Sequence, residues 1–89
     1  MNLAYGSYKN LSATGAVTTN PGALIGFYVN STSGGTLVLR DGGSSGTVLD
    51  GTITPVIGWH FFPAGFGSGG LHATIAAAAL NVTFVYRPT

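Results

Sequence analysis

The side chains able to do chemistry are few: two histidines, His60 and His72, two aspartates, Asp41 and Asp50, and Ser68 between two glycines. A metal site usually takes three or four ligands. Two imidazoles fall short of that, and the aspartates that would complete the set sit in turn-forming sequence. A serine nucleophile needs a histidine base and an orienting acid. Gly67-Ser68-Gly69 lacks the strand–elbow–helix setting in which such a serine works. Paired-carboxylate glycoside cleavage would have to use both aspartates, which leaves no glutamate to hold a raised pKa. Gly65 to Gly70 is glycine-rich, but no lysine follows it and no helix is predicted after it, so it is not a phosphate cradle. With no cysteine there are no disulfides, thiolate metal sites or cysteine nucleophiles. The expectation is a non-enzyme with no catalytic residue, no metal and no cofactor.

The elements that carry these residues are unusual in composition. Only five of 89 residues are charged, fifteen are glycine and 45% are hydrophobic. A typical soluble domain is about a quarter charged. Lys9, Arg40 and Arg87 against Asp41 and Asp50 give a net charge of +1. Three scattered cations make neither a phosphate-tracking stripe nor a polybasic membrane patch. Apolar runs such as Ile75 to Leu80 are far short of the ~20 residues of a membrane helix. Nucleic acid and membrane are therefore not expected as partners. No basic n-region with an apolar h-region follows Met1, so the three Asn-x-Ser/Thr matches at Asn10, Asn30 and Asn81 are set aside as acceptors. The length fits one domain over residues 1–89, small enough for its core to be marginal without oligomerisation.

Turn signals recur every eight to twelve residues, at Asn20–Gly22, Ser31–Gly35, Asp41–Gly46, Asp50-Gly51 and Pro63–Gly70. That rhythm predicts an all-β fold, an antiparallel β-sandwich of jelly-roll-like form. Strands are predicted at about Tyr5–Leu11, Ala23–Asn30, Thr36–Asp41, Thr47–Leu49, Thr52–His60, Leu71–Ile75 and Leu80–Tyr86. Pro55 confines the fifth to an edge, a bulge or two shorter pieces. Ile75–Leu80 has helical propensity but is too short for a stable helix, so a loop or single turn is expected. Alternation groups Ile25, Phe27 and Val29 on one face, and Leu24, Gly26, Tyr28 and Asn30 on the other. Leu37 with Leu39, and Leu80, Val82, Phe84 and Tyr86, make two further inward sets. The remaining outward positions carry hydroxyls, amides and mild apolar groups in place of charge.

Such faces suit packing against another protein, and aromatic residues dominate interfaces once desolvated. The interface candidates are Tyr5, Tyr8, Tyr28, Trp59, Phe62 and Phe66. In the aromatic run Trp59-His60-Phe61-Phe62, Trp59 and Phe61 are expected in the core and Phe62 is divided between core and contact. Phe66 plugs either a neighbour or the domain's own core. Residues 1–19, with Tyr5, Tyr8 and Leu11, are either an arm that orders on a neighbouring protein or an ordinary first strand.

Three segments carry a family likeness: Gly22-Ala23-Leu24 through Val29-Asn30, Gly35-Thr36-Leu37 through Asp41-Gly42, and Asn81-Val82-Thr83 through Arg87-Pro88. Their order resembles the small β-sandwich virion proteins of tailed bacteriophages, including capsid decoration or cement proteins. Phe66 to Leu71 stands for that group's hydrophobic turn, in a longer form. The resemblance spans residues 22–88. It implies a structural protein, a homotrimer on the outer capsid that contacts the major capsid protein or another virion protein and is made in the host cytoplasm. A head–tail connector, tail or fibre component is the first alternative. A carbohydrate- or host-receptor-binding module, using Trp59, His60, Tyr28 and Asp41, is the second.

Overall fold

The computed structural model describes residues 6–89. These form eight strands: β1 (Ser7–Leu11), β2 (Gly15–Thr18), β3 (Gly22–Thr32), β4 (Thr36–Asp41), β5 (Thr47–Val48), β6 (Gly58–Phe66), β7 (Leu71–Ala76) and β8 (Leu80–Pro88). They build two four-stranded sheets, in the orders β1-β8-β3-β6 and β2-β7-β4-β5, with every pairing antiparallel. Strand β1 pairs with β8, β2 with β7, β3 with β6 and β4 with β5. The chain therefore runs as one long hairpin with its tip at β4–β5. That hairpin is rolled up so that β8 meets β3 and β7 meets β4. This is jelly-roll connectivity, and the expected all-β sandwich is the fold.

The core lies between the sheets. Leu24, Phe27 and Val29 of β3, with Val82 and Phe84 of β8, meet Leu37 and Leu39 of β4 and Leu71 of β7. The rings of Phe27 and Phe84 lie 6.0 Å apart at 46°, a tilted packing that suits their quadrupoles. Among the described residues no polar or charged residue is fully buried. The cohesion of the fold is thus hydrophobic, with the backbone ladders satisfying the peptide groups.

The structure corrects several expectations. The face grouping in β3 fails at Ile25, because the register shifts between Leu24 and Gly26 against both neighbours. A bulge inserts a residue and switches the alternation, so Leu24 joins Phe27 and Val29 inside. The expected strand Thr52–His60 does not exist as one piece. Ile53 makes only an isolated bridge to Leu37, Pro55 is buried in the connection, and the strand begins at Gly58. It then runs through Pro63, which reads as a turn signal in the sequence. Pro63 is tolerated because β6 is an edge strand and the proline falls at the bulge, where no ladder donor is needed. Strand β2 was not expected, since it is only four residues long and carries its own register shift. The arm reading of residues 1–19 is replaced by β1 and β2 over the residues described. Cutting residues 1–10 would therefore remove an edge strand.

Between β7 and β8 the polyalanine stretch makes no helical turn. Ile75 and Ala76 are extended, and the Ala78 N–H donates to the Ala76 carbonyl at 2.8 Å. Ala77 between them has φ 69°. This is a γ-turn, the tightest reversal available to the chain.

Candidate functional site

The outward side of the first sheet collects most of the exposed aromatic side chains. Tyr28 on β3 stands between Trp59 on β6 and Thr83 on β8. One pair along, Gly26 stands between Phe61 and Val85, and Val85 in turn faces Tyr8 on β1. Cross-strand neighbours on one face are close enough to act as a single surface. Gly26 is needed in this row. A Cβ there would lie 2.7 Å from Trp59 Cζ2 and 2.8 Å from Cη2. The indole thus lies across bare backbone, with its other side left to solvent.

Beside this aromatic band runs a belt of amides and hydroxyls. Asn10 Nδ2 donates to Asn81 Oδ1 at 2.9 Å and to Thr83 Oγ1 at 3.0 Å. Asn30 Nδ2 donates to the same two atoms, each at 3.0 Å. Two residues of β8 therefore hold both flanking strands by their side chains. The Asn10 and Asn30 amide donors are engaged within the face and the belt involves no formal charge, so covering it carries no ionic desolvation penalty.

Of the interface candidates, Tyr8, Tyr28 and Trp59 lie on this face. Phe62 is half-buried against the core and Phe66 is buried in it. The even choice for Phe66 thus resolves to its own domain, where its ring lies 6.4 Å from that of Tyr86. Tyr5 lies outside the described residues. Trp59 and Phe61, expected in the core, are instead 47% and 72% exposed. The reason is parity: with Phe66 buried, Ala64, Phe62 and His60 are the inward positions before it, and Trp59 and Phe61 must face out. Phe61 and the asparagine belt are the parts of the face that sequence reasoning missed. Counting back by twos from Phe66 gives Ala64, Phe62 and His60 as the inward set and leaves Phe61 outside.

The titratable residues hold the scaffold. His60 turns inward and stacks on Phe27, with ring centroids 5.1 Å apart at 24°. Its Nε2–H reaches the Val56 carbonyl at 2.8 Å and fastens the preceding loop to β6. His72 is on the other sheet, in register with Arg40. Asp41 Oδ1 accepts the Gly67 N–H at 2.9 Å, and the Gly42 N–H donates to the Gly70 carbonyl at 3.0 Å, which pins the β6–β7 turn. Asp50 Oδ1 accepts the Leu39 N–H at 3.0 Å. Burial raises the Asp50 pKa above the ordinary carboxylate value, opposed by the Leu39 N–H and by its own backbone N–H. Among the described residues no three of His, Cys, Asp or Glu gather as a metal site. The four residues considered as sugar contacts do not share one cleft. Tyr28 and Trp59 are on the outer face, His60 points inward and Asp41 ends a strand of the second sheet.

Comparison with protein-family models, curated proteins and solved structures finds no match. The functional reading therefore stands on the geometry.

Proposed function

We propose that this chain is a structural virion protein of a tailed bacteriophage, of the capsid decoration or cement kind, which docks through the outer face of its first sheet. One observation carries the reading: Tyr8, Tyr28, Trp59 and Phe61 share a face beside a hydrogen-bonded amide belt, and none of these positions is charged. An aromatic surface of this kind gains most when another protein covers it. Jelly rolls also recur in viral capsids, a fold-level analogy that adds support. Each copy contributes a modest contact, and repetition on a symmetric shell multiplies its strength. A connector or tail position would use the same face in the same way.

A carbohydrate-binding module is the second reading, favoured by the Tyr28–Trp59 pair, since exposed aromatic planes stack on sugar rings. It is weaker because two of the three asparagine amides beside the pair, Asn10 and Asn30, already donate within the belt.

The test is to purify particles from cells expressing the chain and to count its copies by quantitative mass spectrometry. A copy number that is a fixed multiple of the capsid lattice is the expected result. Its absence from purified particles would overturn the reading. The Trp59→Ser/Phe61→Ser double variant should remain folded and lose particle association by about tenfold or more, as expected when interface hot spots are truncated.

A further inference from the structure

The two sheets have four edge strands, and they are not equally protected. Strand β1 carries Lys9 and β2 is short with a register shift, while β5 has only two residues. A charge, irregularity and brevity are the usual devices that stop edges from pairing with other chains. Strand β6 is nine residues long, carries no charge and pairs only with β3 among the described residues. Its guards are Pro63 and the bulge in which that proline lies, and both protect the second half. The first half, Gly58–Phe62, is open. It is bordered by exposed Val56, Ile57, Trp59 and Phe61.

We infer that two copies of this chain join through Gly58–Phe62, with the two β6 strands antiparallel about a two-fold axis at His60. Residues of the same outward parity must then face each other. A pairing centred on His60 sets Trp59 of each copy opposite Phe61 of the other. Aromatic cross-strand pairs are among the most favourable on a sheet. The four apolar side chains beside the edge present on the order of 500 Å² per copy, given aromatic areas of about 150–250 Å². Complete burial of these side chains in two copies would set a ceiling of about 1,000 Å², the size of a weak, reversible contact. The product is one continuous eight-stranded sheet in which two aromatic faces lie side by side. The inference rests on the assembly reading, and it names the first partner as a second copy.

The chain has no native cysteine, so single cysteines report the contact directly. Opposed residues in an antiparallel pair have Cα atoms about 4.5–5.5 Å apart, within the roughly 4.4–6.8 Å that a disulfide spans. Trp59→Cys and Phe61→Cys proteins, mixed under mild oxidation, should give mostly the mixed dimer. Sedimentation equilibrium of the unmodified chain should show a monomer–dimer equilibrium. Phe61→Lys should weaken it at least about tenfold, by placing a charge on the edge, while Val48→Lys on the other sheet should leave it unchanged. A chain that stays monomeric at millimolar concentration and gives no mixed disulfide overturns the inference, even if it binds particles or a neutral polysaccharide. A dimer equally sensitive to both lysine variants overturns it as well. A dimer with the expected cross-link that never associates with particles leaves the β6 contact standing and defeats the virion reading instead.

Discussion

Asp50 is held half-buried beside β4, where its carboxylate accepts the Leu39 N–H and its pKa rises through desolvation. A folded-state pKa above the unfolded value means that the native state binds the proton more tightly. The resulting stability is fully present below the unfolded pKa of about 3.9 and is lost as pH climbs through the raised native value. Thermal melts should therefore fall across that acidic window. Asp50→Asn keeps the Oδ1 acceptor and removes the titration, so its melting temperature should be flat there. A variant as pH-sensitive as the parent would exclude Asp50 as the source. The sequence marked Asp50 correctly as a turn residue. Its bond to Leu39 was not legible, because it depends on how the strand after the β4–β5 tip folds back.

The elements were legible where a strand is long and alternates without interruption. Strands β4 and β8 match their expected inward sets, Leu37 with Leu39 and Leu80 with Val82 and Phe84. They failed to be legible where a bulge breaks the period of two, as at Ile25, or where a proline lies within an edge strand, as at Pro63. Neither event has a local signature, since each depends on which strand comes to lie alongside. The γ-turn at Ala77 is a third such case and carries a prediction. An L-residue at positive φ costs roughly 1–2 kcal/mol. Replacing it with glycine adds unfolded-state entropy worth about 0.5–1 kcal/mol. Ala77→Gly should therefore stabilise the protein by about 0.5–1 kcal/mol in denaturant unfolding. Destabilisation would mean that the turn is not strained. The same change at Ala79, outside the turn's central position, should give no such gain.

For the whole molecule, scarcity of charge sets the forces on which the proposed association would rest. Contacts made by Trp59, Phe61 and Tyr28 are apolar, and screening acts only on charges. Self-association should thus change less than about twofold as sodium chloride is raised, because salt bridges contribute little to it. Sulfate should strengthen it, since excluded salts favour burial. A steep fall with sodium chloride would point to an ionic contact and against the aromatic face. The composition already indicated uncharged outward faces. Which face carries the exposed aromatics became visible only with the parity of β6 and the position of Gly26 under the indole.

The pairing of β1 with β8 and of β8 with β3 has a consequence for synthesis. Strand β8, the last of the eight in chain order, is an interior strand of its sheet. Until it arrives, β3 has a vacant long side and β1 has no neighbour in that sheet. Contacts between residues this distant in sequence also form slowly. The nascent chain thus lacks a closed first sheet until β8 has emerged, and Phe27 and Val29 wait until then for their partners Phe84 and Val82.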